Sequence, residues 1–245
     1  MANNRLCLTS EDEEKNFNIN QDYARIRGFE LTLNRRVQKY LSTTFSAAYQ
    51  IATGKSNSAQ ESQLQILQTG SVSPTVEQYL AWDRPLDLKL MIVFKPDTSF
   101  HIGRINFNKV RVFLNSTYKS GLRYTPYYQN GVEPNGRPIY EPDELNPFSK
   151  LGAAWWNTDL KITKDIIIKR GQQISLSIEF KNIFDNKNAA IINPITGKAY
   201  EYGDPLPNTY RDPMYPDPQD NGVPPFNPAR FLTPRQVLAG ISWQF

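Results

Sequence analysis

The residues best suited to chemistry fall into two groups. Asp87, Lys89, Asp159, Lys161, Glu179 and Lys181 alternate with apolar residues, so each lies on the polar side of an extended segment. Such side chains can line a path for a polar solute, or can simply solvate that face and touch whatever fills the space beside it. The second group is aromatic: Tyr124, Tyr127, Tyr128, Tyr140, Tyr200, Tyr202 and Tyr210 stand in two long irregular stretches. Tyrosine rings in loops can stack on a sugar or a chelate, or can pack on one another.

Other chemistries find little support. One histidine, His101, and one cysteine, Cys7, do not make a Cys/His metal cluster, an internal disulfide or a His-based triad. Asp204, Asp212, Asp217 and Asp220 offer carboxylates to calcium, but their spacing matches no loop motif and they read as solvated acids. Acidic pairs are everywhere in a chain with 24 Asp and Glu, which is too unspecific for a glycosidase. The expectation is a chain that is not an enzyme, with no catalytic residues, metal or cofactor. The net charge of +4 is dispersed, so no nucleic-acid partner is expected.

The elements that must carry these residues are strands. Period-two alternation recurs in seven segments, clearest over Gln173–Phe184, where Ile174, Leu176, Ile178 and Phe180 oppose Ser175, Ser177, Glu179 and Lys181. The others are Tyr23–Asn34, Leu41–Ile51, Leu86–Phe94, Val110–Lys119, Trp156–Lys164 and Gln236–Phe245. In the first, Arg25 and Arg27 share a face with Phe29, Leu31 and Leu33. Either a bulge at Gly28 shifts the phase, or the arginines sit at a membrane rim against lipopolysaccharide phosphates.

The connections alternate in length. Short links near Val37–Tyr40 and Ile167–Gly171, and a medium one through Lys95-Pro96-Asp97, contrast with the long Ala52–Arg84, Gly121–Ala154 and Asp185–Pro234. Gln60–Leu67 suggests a short helical turn in the first long loop, and the third is rich in proline from Pro205 to Pro228. Strict alternation of tight turns and long loops is the up-and-down pattern of outer-membrane barrels. Segments of about ten residues suit a tilted membrane span better than a sandwich strand. Tyr49, Trp155, Trp156 and Phe184 lie toward the long loops, and Trp243 and Phe245 toward the turns, as two aromatic belts would. The same aromatics could instead cap the ends of a sandwich core. The alternative is therefore a soluble or secreted β-sandwich that binds carbohydrate through its tyrosine-rich loops, with Trp243 and Phe245 buried.

No stretch approaches the roughly 18 apolar residues of a spanning helix, and the apolar share is 39% while Pro (18), Tyr (13) and Phe (13) are plentiful. The first residues, MANNRLCLTSEDEEK, lack a signal-peptide profile. If Phe245 ends on the periplasmic side, an odd strand count places the start of the first strand outside, whereas a whole barrel has an even count. The expectation is a C-terminal portion of a longer protein or a truncated product, with Met1 not the native start.

Several stretches resemble the C-terminal barrel of TonB-dependent outer-membrane receptors of Bacteroidetes-like bacteria. They are Tyr23-Ala-Arg-Ile-Arg-Gly-Phe-Glu-Leu31, Trp82-Asp-Arg-Pro-Leu-Asp-Leu-Lys-Leu90, Ser120-Gly-Leu-Arg-Tyr-Thr-Pro126, Asn182-Ile-Phe-Asp-Asn-Lys-Asn188 and Pro194-Ile-Thr-Gly197. The ending Gly240-x-x-Trp243-x-Phe245 is similar to the assembly signal of outer-membrane proteins, with Leu238 where that signal usually carries a polar residue. The resemblance covers nearly the whole chain. It implies an all-β, antiparallel up-and-down transmembrane barrel segment, about seven strands of a 22-stranded barrel, with residues 1–245 its C-terminal portion and the plug domain absent. It implies import of a scarce solute, such as a siderophore, cobalamin or oligosaccharide, with energy from an inner-membrane complex reached through the missing plug. The chain alone would not be transport-competent. Further implied partners are outer-membrane lipid and lipopolysaccharide, the rest of the barrel and plug, and the barrel assembly machinery.

Overall fold

The computed structural model describes residues 4–10, 13–19, 24–37, 40–55, 77–96, 101–103, 105–168, 172–207 and 230–244. The expected helical turn at Gln60–Leu67, Phe245 and the proline-rich 208–229 stretch, with Tyr210, Asp212, Asp217 and Asp220, lie outside these residues. Among the described residues every regular element is a strand. They are β1 (Asn4–Ser10), β2 (Glu13–Ile19), β3 (Ala24–Val37), β4 (Leu41–Gly54), β5 (Gln78–Tyr79), β6 (Leu86–Phe94), β7 (His101–Ile102) and β8 (Ile105–Asn106). There follow β9 (Val110–Lys119), β10 (Arg123–Tyr124), β11 (Tyr127–Val132), β12 (Pro138–Pro142), β13 (Lys150–Leu151), β14 (Trp155–Ile167), β15 (Gln173–Lys181) and β16 (Gln236–Gln244).

Seven of these form one antiparallel meander in the order β3-β4-β6-β9-β14-β15-β16, with β5 added beside the end of β4. Each long strand pairs with the strand next to it in this series, as hydrogen-bonded neighbours joined by the alternating links. The seven alternating segments are thus all strands, and their ends agree within a few residues. β15 stops at Lys181 rather than Phe184, because Asn182 turns into the left-handed region with φ 50°. The sheet is open: β3 and β16 are its two edges and do not pair with each other.

The register gives the sheet two unlike faces. Ladder partners such as Val237, Phe180, Leu160, Leu114 and Ile92 run across five strands on one face, and Ala239, Ile178, Ile162, Val112, Phe94 and Leu41 form the next apolar row. The row between them, Leu238, Glu179, Lys161, Phe113, Val93 and Ser42, faces the other way and sets charges beside apolar residues. Lys164 is an exception on the apolar face, and its Nζ curls to the Asn108 carbonyl in the adjoining turn.

Among the described residues no second layer covers either face. Among the described residues the long strands make their main contacts along their ladders. On the apolar face Phe29 is 69% exposed, Ile241 78% and Trp243 62%. A sandwich would bury such residues under a second sheet, and the Trp243 ring does not meet that requirement. The fully buried apolar residues among those described are Ala52, Leu80, Ala189, Ala199 and Tyr200. All belong to the long-loop end, so among the described residues the packed core is a crown of loops at that end of the strands.

Two sequence expectations are corrected. No bulge interrupts β3, which pairs with β4 residue for residue from Ala24↔Gly54 to Val37↔Leu41, so Arg25 and Arg27 do stand on the apolar face. Gly28 serves a different need: a Cβ there would lie 2.2 Å from the Tyr49 carbonyl oxygen. Trp155 does not share a face with Trp156, as the expected belt requires: it points the opposite way and its Nε1 donates to the Ala189 carbonyl in the crown. The short hairpins β1–β2, β7–β8 and β11–β12 add strands where no alternation was expected.

Candidate functional site

The crown is built where three long links leave the sheet. The first, ending at Pro85, is fixed by Asp83, which is fully buried. Its Oδ1 accepts the Ala52 N–H at 2.9 Å and its Oδ2 accepts Arg123 Nε at 2.8 Å. Arg123 belongs to the second link; its guanidinium lies 3.5 Å from the centroid of the Tyr79 ring, and it donates to the Ser149 carbonyl at 3.4 Å. One charged pair therefore ties β4, β5 and β10 together. Alongside it, the Arg84 guanidinium stacks 3.9 Å from the Trp155 ring, and burial lowers its pKa against the opposing pull of Asp87.

The third link is tied down by asparagines. Asn182 receives no strand partner beyond β15; instead its N–H donates to Asp159 Oδ1, and its own Oδ1 accepts the Asn186 N–H at 2.9 Å. Its Nδ2 donates to the Asn186 carbonyl at 3.0 Å, which closes a tight loop. Asn188 does the same for β14: its Oδ1 accepts the Trp156 N–H at 2.9 Å and its Nδ2 donates to the Trp156 carbonyl at 3.1 Å. Asp185, also left-handed at φ 55°, accepts the Arg235 N–H and so guides the chain into β16. The stretch Asn182–Asn188 is thus a hydrogen-bonded corner that holds the loop against three strands.

The second and third links also meet directly. The Tyr127 N–H donates to the Pro194 carbonyl at 2.9 Å. Gly197, at φ 74°, sits under the Tyr124 ring, and a Cβ there would come 2.5 Å from the Tyr124 hydroxyl oxygen. Only glycine satisfies both the backbone angle and that approach.

Of the seven tyrosines expected as ligand contacts, the structure links Tyr124 and Tyr128 through Lys150, while Tyr127 points to the other side of β11 from Tyr128 and Tyr140 lies on β12 opposite Gln129. Tyr124 on β10 is half-buried, and burial raises its pKa while Lys150 lowers it and Tyr128 raises it. Tyr127 and Tyr128 follow on β11, and Tyr128 is exposed with Lys150 Nζ 5.2 Å from its ring centroid. Tyr200 lies apart, buried inside the crown, with its carbonyl accepting a bond from Arg230. Tyr202 is 72% exposed on another part of the third link. The open aromatic surface is therefore Tyr128 with Lys150 at the rim, backed by Tyr124. Asp204 accepts the Glu201 N–H and so closes a turn.

The polar sheet face is cross-paired. Lys161 and Glu179 approach to 3.4 Å, and Asp87 lies 3.6 Å from both Lys89 and Lys119. Arg111 donates two bonds of 2.9 Å to Asp165, which also accepts from Ser175. Asp159 is engaged with Asn157 and Asn182. Opposite charges are thus paired on this face, both within a strand and between neighbouring strands.

Gly240 and Trp243 lie on β16, where Gly240 faces Ser177 across the ladder and Trp243 faces Ile174. Sequence reasoning did not single out Asp83, Arg123 or Gly197, although all three lie within the quoted stretches. Compared with protein-family models, curated proteins and solved structures, the chain matches none.

Proposed function

We propose that this chain is a wall segment of a TonB-dependent receptor barrel of the outer membrane, which recognises a scarce solute at its outer loops. The observation that carries the reading is the bare apolar face of a single-layer sheet whose long loops all leave one end. From Trp156 to Ile166, β14 climbs roughly 34 Å at about 3.4 Å per residue. At a barrel tilt of about 40° that becomes a height of about 26 Å, close to the apolar band of a membrane barrel. Tyr49, Tyr118, Trp156 and Phe184 mark one border of this face, and Trp156 and Phe184 stack at 5.5 Å. Trp243 marks the other border, as interfacial aromatics do.

In this reading the charge-paired face looks into a water-filled or plug-filled lumen, and the edges β3 and β16 pair with the remaining wall. The crown, with Tyr128 and Lys150 at its open rim, offers the solute-recognition surface. Transport itself requires the plug and the energising complex. The test is export of the chain behind a secretion signal, followed by fractionation. Recovery in the outer membrane, resistant to carbonate and salt washes, supports the reading; a soluble periplasmic monomer that ignores lipid overturns it.

A further inference from the structure

The apolar face of β3 does not end at its aromatic residue. Leu33, Leu31, Phe29, Arg27 and Arg25 succeed one another on that face, opposite Phe45, Ala47, Tyr49, Ile51 and Thr53 of β4. Phe29 stacks on Tyr49 with ring centroids 5.7 Å apart, which fixes the phase. From Phe29 to Arg25 the strand rises roughly 13 Å at about 3.3 Å per residue, toward the long loops. Arg25 lies 3.8 Å from Glu77, a loose contact with half of its side chain exposed. The Arg27 guanidinium has no ion-pair or hydrogen-bond partner among the described residues.

Aliphatic, then aromatic, then cationic is the order of a lipid leaflet read outward, from acyl chain through the glycerol level to phosphate. Two arginines on one face of a strand stand about 7 Å apart, within reach of one headgroup. Their planar forks match phosphate oxygens in pairs, which a lysine ammonium does not. We infer that Arg25 and Arg27 bind the phosphate of an anionic lipid headgroup in the leaflet on the long-loop side. The inference rests on the membrane reading and adds a lipid partner and its contact residues.

The test uses the full chain in mixed micelles holding equal amounts of phosphatidylglycerol and phosphatidylcholine with the same acyl chains. Bound lipid is counted by native mass spectrometry. The wild type should prefer phosphatidylglycerol, and Arg25→Gln with Arg27→Gln should reduce that preference about ten- to thirtyfold. Arg25→Lys with Arg27→Lys should keep part of it. Arg36→Gln removes one arginine charge from the opposite face of β3 and should leave it unchanged. A wild type without preference, a double variant that keeps it, or an equal loss with Arg36→Gln overturns the contact. Quenching of Trp243 by brominated acyl chains in the same samples separates the two failures. Quenching with an unmoved preference removes only the phosphate contact; no quenching in the wild type removes the membrane reading beneath it.

Discussion

Replacing Arg123 with alanine should loosen the crown without disturbing the sheet. The Arg123 side chain is 10% exposed and Asp83 fully buried, so the change leaves an uncompensated carboxylate out of contact with water. Breaking a buried pair from one side costs about 3–5 kcal/mol. Asp83 keeps the Ala52 N–H as a donor, which places the cost toward the lower end, and the stacking of Arg123 on Tyr79 is also lost. A local loss of about 3 kcal/mol corresponds to roughly 150-fold faster hydrogen exchange. The reporter is the Ala52 amide itself, with amides in the middle of β9 and β14 as internal references. Arg111→Ala is the control: that arginine is 47% exposed, and its pair with Asp165 should be worth at most about 1 kcal/mol. If Ala52 keeps its protection in Arg123→Ala, or if both variants shift exchange equally, the view of Asp83–Arg123 as the crown's main tie is wrong.

Other outcomes follow from the same geometry. Gly197→Ala should cost about 1–3 kcal/mol of local stability by forcing a side chain into a left-handed backbone and against the Tyr124 hydroxyl, seen as faster proteolysis of the 185–207 link. Asn182→Ala removes the side-chain bonds to Asn186 and should free the start of that link with a similar magnitude, while Asn182→Gly, which tolerates φ 50°, should lose only the hydrogen-bond part. Burial holds the Tyr124 phenol above its ordinary value of 10.0, so the folded crown binds the proton more tightly than the unfolded chain. Its contribution is full below that value and is lost as pH rises through the folded one; Tyr124→Phe should abolish this alkaline loosening in a proteolysis–pH profile. The isolated chain should aggregate or associate through β3 and β16, whose outer edges have no strand partner among the described residues; a monodisperse, heat-resistant monomer in detergent would contradict the open sheet.

The sheet was legible because each strand declares itself locally. In Gln173–Lys181 every second residue is apolar, and a one-residue slip would invert the whole face, so register follows from pattern. The face assignment of Arg25 and Arg27 was not legible. A glycine beside two arginines reads as a phase break, and only the close approach of the Tyr49 carbonyl shows why glycine is there. The crown was hidden for a different reason. Asp83 and Arg123 are 40 residues apart in the chain, and no periodicity links them. Tyr200 and Tyr202 are neighbours of like chemistry in sequence, yet one is buried and the other open, which depends on how the third link folds over Ala189 and Arg230. The hairpin β1–β2 carries many charged and polar residues, so its alternation is weak.

Single-tryptophan variants folded into bilayers with acyl chains brominated at shallow or deep positions test the central claim most directly. The bare apolar face predicts strong quenching of Trp156 and Trp243, greater from shallow than from deep bromines, and little quenching of Trp155, which turns into the crown. Equal quenching of Trp155 and Trp156, or no quenching of Trp156 and Trp243 at either depth, would contradict a lipid-facing sheet.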